Sequence, residues 1–265
     1  AHVNPILALL IAFLGGALAG AVTAAIHNYL KIPNLLAGII TMTMLWSVNI
    51  RVMNKRSNIT LTNQDSILNE VIKVLQGIGI PPEWGMLVFF ILLSLLFKFL
   101  LDMFFRTDLG LTMGAMGNNP QMVISTGVNP NLLKFIGLGL SNGPVAITGA
   151  FACQYMGFAD VSLGQQIIIS GLASVMIGEF LIKSNRIWVL TLRVLLGSIL
   201  FRALMYLARQ YGYDIGLLPT DQRMLTGALI IAALAVSQFR KQTAKAKAVT
   251  GLAGVADSAK GAPHA

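Results

Sequence analysis

Charge is scarce in this chain. Only 11% of its 265 residues are Asp, Glu, Lys or Arg, against about 25% in soluble domains. Hydrophobic residues make up 55%, and mean hydropathy is +0.74. That balance excludes a water-soluble domain built around its own large core. Cysteine is nearly absent too. Cys153, alone in an apolar segment, can build neither a disulfide framework nor a cysteine zinc site. Packing is the role left to it. Nucleotide and hydrolytic signatures are missing: there is no G-x-x-x-x-G-K-[ST] phosphate loop, no H-E-x-x-H, no Cys/His cluster and no paired catalytic carboxylates. No cofactor or metal is expected on this chain, and it is expected to be no enzyme. If the chain works against a gradient with ATP, another subunit must hold the nucleotide.

What is abundant is long apolar runs of the length that crosses a bilayer, about 20 residues each. Seven are legible, at 5–27, 34–53, 86–105, 131–156, 163–182, 187–208 and 221–239. No strand alternation competes with them. The fold class expected is all-α, a polytopic transmembrane helix bundle in the lipid bilayer, with one or more spans broken or re-entrant. The membrane domain takes residues 1–239, and 240–265 form a basic, flexible tail. Gly16 and Gly20 have the spacing that lets two helices approach closely. Arg240, Lys241, Lys245 and Lys247 crowd just past the last span, where cytoplasmic anchoring charges belong. The formal charge of +9 therefore reads as membrane anchoring and not as nucleic-acid binding.

With the tail in the cytoplasm, counting back through the spans puts loop 106–131 on the same side. That side holds Lys31, Arg106, Lys134, Lys183, Arg186 and the five basic residues from 240 onward, against Arg51, Lys55, Arg56, Lys73, Arg209 and Arg223 outside. Ten against six agrees with the positive-inside rule. The external loop 54–85 contains an amphipathic stretch, with apolar residues at 67, 68, 71, 72 and 75, Asp65 as cap and Gly77 as stop. An interfacial helix and a docking surface for a soluble partner both fit it.

The loop on the cytoplasmic side spells out one short helix. Asn119 is a good N-cap and Pro120 suits the first helical position, while Gly127 supplies a left-handed closing residue. Asn129-Pro130 then repeats the start signal ahead of a membrane-length helix. A two-turn helix held between spans cannot bury itself, so another molecule is expected to cover it. Inside the spans, Gly139-Leu140-Ser141-Asn142-Gly143 matches G-x-S-x-G, but a hydrolase elbow needs a preceding strand and a later histidine base. The flanks are helical, and the only later histidine is His264. Two readings stand for Ser141–Pro144: a broken helix at a substrate site or a packed kink. Thr41, Thr43, Ser47 and Asn49 either line a polar path or bond their own helix backbone. Lys98 and Asp102, at i and i+4, are expected to pair. Glu179 either pairs with Arg193 or Arg202, or serves a coupling ion.

Several stretches together resemble the permease subunits of bacterial ABC importers, in the branched-chain amino-acid/ribose permease family and nearest its tryptophan/tyrosine-type members. They are Leu35 to Thr43, Ser47 to Met53, Gly117 to Met122, Gly127 to Asn129, Leu138 to Gly143, Gln154 to Asp160, Gly171 to Glu179 and Pro219 to Asp221. The resemblance implies a type II importer permease fold in the bacterial cytoplasmic (inner) membrane. It makes Gly117, Asn118, Asn119, Pro120, Gln121, Met122, Thr126 and Gly127 a coupling helix seated in an ABC ATPase dimer, which holds ATP and Mg. It also implies a second permease copy (homodimer or close paralogue) and a periplasmic or lipoprotein solute-binding protein. The translocation path is assigned to Thr41, Thr43, Ser47, Asn49, Ser141, Asn142 and Glu179, and the cargo class is an amino acid. A self-contained secondary transporter or channel is the alternative. The chain begins Ala1-His2-Val3 without Met, and family members carry about two earlier segments, so an N-terminally truncated chain is expected.

Overall fold

The computed structural model describes residues 4–61, 66–77, 79, 81–182, 184, 186–214, 224, 226–228 and 231. They divide into two compact units, Ala1–Gly164 and Gln165–Ala265. The expected seventh span and the basic tail lie almost wholly outside the described residues, as does the Asp65 cap.

In the first unit, helix α1 (Pro5–Leu30) starts on Asn4, whose side chain accepts from the Ile6 amide, and ends at left-handed Lys31. Three residues later α2 (Asn34–Val52) begins behind Pro33. Helix α4 (Pro82–Phe105) takes Pro82 at its first position, one turn ahead of the expected start. Helix α7 (Pro130–Met156) is capped by Asn129 and closed by Gly157 in the left-handed conformation. All four are long and apolar enough to cross a membrane.

Their order follows from the contacts at their ends. α1 and α7 run antiparallel: Gly16 faces Asn142 and Ala146, Gly20 faces Leu138, and Asn28 reaches Asn131. A Cβ on Gly16 would lie 2.5 Å from the Asn142 carbonyl oxygen, so only glycine allows this approach. Gly143 on α7 meets the Phe13 ring in return. The paired small residues thus pack backbone on backbone, as the spacing predicts.

At one end, strand β1 (Asn58–Thr60) pairs antiparallel with β2 (Phe158–Asp160), Ile59 opposite Ala159. Helix α3 (Ile67–Gly77) lies at that same end. Ser66 Oγ donates to Gln154 Oε1 at 2.9 Å, and Leu75 covers Gly85. This short ribbon leaves the all-helical class as expected: two extended loops, one following α2 and one following α7, satisfy each other's backbone. The opposite end carries α5 (Asp108–Asn118) and α6 (Pro120–Ser125).

Two further points concern α7 and the basic residues. α7 stays helical through Ser141–Pro144, so of the two readings the broken helix is not the one found. Pro144 costs one backbone bond, while Ser141 Oγ and Asn142 Nδ2 both turn back to the Leu138 carbonyl. Within this unit the basic residues divide between the two ends as the sequence count divides them. Lys31, Arg106 and Lys134 lie at the α5–α6 end, and Arg51, Lys55, Arg56 and Lys73 at the ribbon end.

The second unit pairs α8 (Leu163–Leu181), the fifth expected span, with α9 (Ile187–Asp214), the sixth. They too are antiparallel and glycine-packed. Gly178 abuts the Arg193 carbonyl and Gly197 that of Ser174, with Ala173, Ile177, Phe201 and Met205 buried alongside. Among the described residues five helices are long and apolar enough to span, α9 being the fifth. The stretch Ser170–Leu181 of α8 is a shorter apolar helix.

Candidate functional site

The α5–α6 end is built by a chain of caps. Thr107 caps α5, its Oγ1 accepting from the Gly110 amide at 3.3 Å, and Asp108 places a negative charge in the first turn. Gly110 lets α5 fold tightly back on Phe104 and Phe105. Asn119 then serves both helices. Its extended backbone N–H bonds the Ala115 carbonyl, ending α5, while its Oδ1 accepts from the Met122 amide at 3.3 Å, starting α6. Pro120 sits at the first helical position, as expected. At the far end the Gly127 N–H bonds the Ile124 carbonyl at 3.0 Å, and Gly127 has φ +81°. Asn129 Oδ1, accepting from Asn131 N at 2.9 Å, opens α7.

One residue anchors this small helix. Val123 is buried, whereas Gly117, Asn118, Asn119, Pro120, Gln121, Met122, Thr126 and Gly127 are all exposed. Met122 is 59% exposed and Ile124 47%. α6 therefore projects from its unit instead of being folded into it. A short helix with so few contacts keeps its shape by capping, since isolated helices under about 12 residues are marginal in water. Helix α5 was not anticipated. Thr107-Asp108, a cap with an acid behind it, was its signal, but the stretch is too short and Gly-rich for apolar periodicity to mark it. Met113 packs over Gly137 and seats α5 on α7.

The residues assigned to a translocation path lie on α2 and α7 of the first unit and on α8 of the second. Thr41 is buried between α1 and α2, donating to the Ala37 carbonyl and accepting from Thr23 Oγ1 at 3.0 Å. Thr43, Ser47 and Asn49 are exposed, and Thr43 Oγ1 donates to the Ile40 carbonyl. Ser141 is exposed and Asn142 half-buried on α7. Lys98 Nζ and Asp102 Oδ2 pair at 2.5 Å, both buried on α4, as expected from their spacing. Glu179 on α8 bonds Arg193 of α9 at 3.1 Å, the pairing alternative foreseen for it.

The Glu179 side chain is 58% exposed and that of Arg193 21%, and their pairing offsets the cost of carrying two charges on apolar helices.

Residues 1–234 match the family described as branched-chain amino acid transport system / permease component. The chain is 35% identical over 246 residues to the tyrosine transport system permease protein of Clostridioides difficile (strain R20291), covering 93% of this chain and 78% of that protein. It is 26% identical over 227 residues to an uncharacterised protein of Rickettsia prowazekii (strain Madrid E), covering 86% and 77%. No solved structure matches.

Proposed function

This chain belongs to the branched-chain amino acid transport permease family, and from that premise we propose that it carries an amino acid across the membrane as the permease subunit of an ABC importer, with α6 as its coupling helix. It is a non-catalytic subunit in this reading: ATP is hydrolysed by a partner ATPase dimer, and α6 receives the motion. The observation that carries the coupling role is the exposure of the whole capped helix on one anchoring residue, Val123. A rigid rod fixed by caps to α5 and α7 passes a push directly into the first turn of α7. From there the glycine-packed α1–α7 pair moves as one.

The α5–α6 end is then cytoplasmic and the β1–β2 ribbon faces the outer compartment, where a solute-binding protein docks. The membrane is the bacterial inner membrane. A second permease copy completes the path, and Thr43, Ser47 and Ser141, exposed in the single chain, are available to line it. The named cargo of the Clostridioides relative makes tyrosine the first amino acid to test.

The partner surface is apolar at Met122 and Ile124. Burying two such side chains contributes roughly 3 kcal/mol or more. Met122→Glu with Ile124→Glu should therefore lower retention of the ATPase subunit on tagged permease by at least about tenfold. Undiminished retention of the ATPase on that variant would sink the assignment of α6.

A further inference from the structure

Charged side chains deep in the described apolar helices come in pairs, with one exception. Lys98 is paired with Asp102 on α4, and Arg193 of α9 with Glu179 of α8. Arg51, Glu83, Lys134 and Arg209 lie near the ends of their helices. Arg202 of α9 is left over. It is exposed, and among the described residues nothing bonds it.

Its depth makes this costly. α9 is apolar enough to span over Ile187–Gly212. Arg202 stands ten residues before Gly212, about 15 Å along the axis, and the hydrocarbon core is about 30 Å thick. Its Cβ tilts toward the start of the helix, back into the span, so the side chain is not aimed at the nearer end. Arginine stays protonated in proteins, and a guanidinium facing hydrocarbon without an anion or water is strongly unfavourable. Ile199 and Tyr206 flank it one turn away on the same face, 64% and 67% exposed. Among the described residues the Tyr206 hydroxyl is also unbonded.

The missing anion has few sources. A second copy of this chain brings the same described acids, and those deep in the helices, Asp102 and Glu179, are already paired. A lipid phosphate stays at the bilayer surface, about 15 Å away. A cargo carboxylate reaches mid-depth in the course of transport. We propose that Arg202, with Tyr206 beside it, binds the carboxylate of the amino-acid cargo as it crosses. The planar guanidinium takes both carboxylate oxygens in parallel hydrogen bonds. This face of α9 is then a wetted wall of the path. The inference rests on the permease reading but not on the coupling role of α6.

The test uses the full chain in nanodiscs of zwitterionic lipid with no ATPase. Cys153→Ala removes the native thiol, and Ile199→Cys places a reporter one turn from Arg202. A small water-soluble methanethiosulfonate should modify it, while Leu200→Cys, at the same depth on the far side of α9, should stay unmodified. Saturating L-tyrosine, or a mixture of the other standard amino acids, should slow the modification several-fold. Tyramine, which lacks the carboxylate, should not. Arg202→Gln should abolish the protection, and Arg202→Lys, which keeps the charge but not the fork, should need more amino acid to show it. The thermal midpoint of Arg202→Gln should be unchanged or higher, because an unpaired charge has left the membrane. An unreactive Ile199→Cys, no protection, equal protection by tyramine, or protection that survives Arg202→Gln overturns the site. So does a lowered midpoint in Arg202→Gln: if the loss appears only with phosphatidylglycerol present, a headgroup holds Arg202, and otherwise a protein carboxylate does. Carboxylate-dependent protection without ATP-driven uptake by the complete assembly would keep this site and remove the importer reading instead.

Discussion

Gly20→Leu should leave almost no folded protein. A Cβ at position 20 would press into the Leu138 carbonyl oxygen and lie 2.6 Å from the Leu138 carbonyl carbon. Backbone cannot rotate away as a side chain can, so α1 and α7 must separate along their length. Overpacking that side chains can relieve costs about 1–3 kcal/mol, and this substitution should exceed that range. The readout is the yield of monodisperse protein in detergent and its thermal midpoint. Gly15→Leu is the control, because nothing lies within 4 Å of a Cβ there. If the two variants were equally stable, the close pairing of α1 with α7 would be wrong.

Pro120→Ala combined with Gly127→Val should abolish coupled ATP hydrolysis while sparing the membrane helices. Both residues are exposed, and nothing lies within 4 Å of a Cβ on Gly127, so the bundle loses no packing. The damage is conformational. At φ +81° a β-branched residue is strained by about 1–2 kcal/mol, and losing Pro120 adds roughly 0.5–1 kcal/mol of chain entropy to be overcome. A six-residue helix with one buried anchor has no reserve against that loss. Cargo-stimulated hydrolysis should fall by about tenfold or more, with thermal stability unchanged in a parallel measurement. Gly114→Ala, at an open position of α5 outside the coupling segment, should behave as wild type. Full coupling in the double variant would mean that the shape of α6 is irrelevant to energy transfer.

Local chemistry made some features legible and left others out of reach. The caps of α6, the left-handed Gly127, the Lys98–Asp102 pair and the Gly16/Gly20 contact each depend on residues within a turn or two, or on one helix face. Sequence carries such information directly. The β1–β2 ribbon depends on loops about a hundred residues apart, at 58–60 and 158–160, and no periodicity announces it. His27 gave no signal for a similar reason, since its ring meets Lys134, 107 positions away. Ser141–Pro144 left two readings open for the same reason. Small polar residues beside a proline permit a break, but helix neighbours and turned-back side chains keep α7 whole.

Apolar length, charge scarcity and capping grammar were enough to determine a helical membrane protein with a short capped helix between spans, because each acts within a few residues of its cause. Tertiary structure alone decided which helix pairs with which, that α6 stands exposed on Val123, and that the end of α1 is bonded to the start of α7. Those facts arise from backbone surfaces meeting across long stretches of chain, and many sequences of equal hydropathy would meet differently.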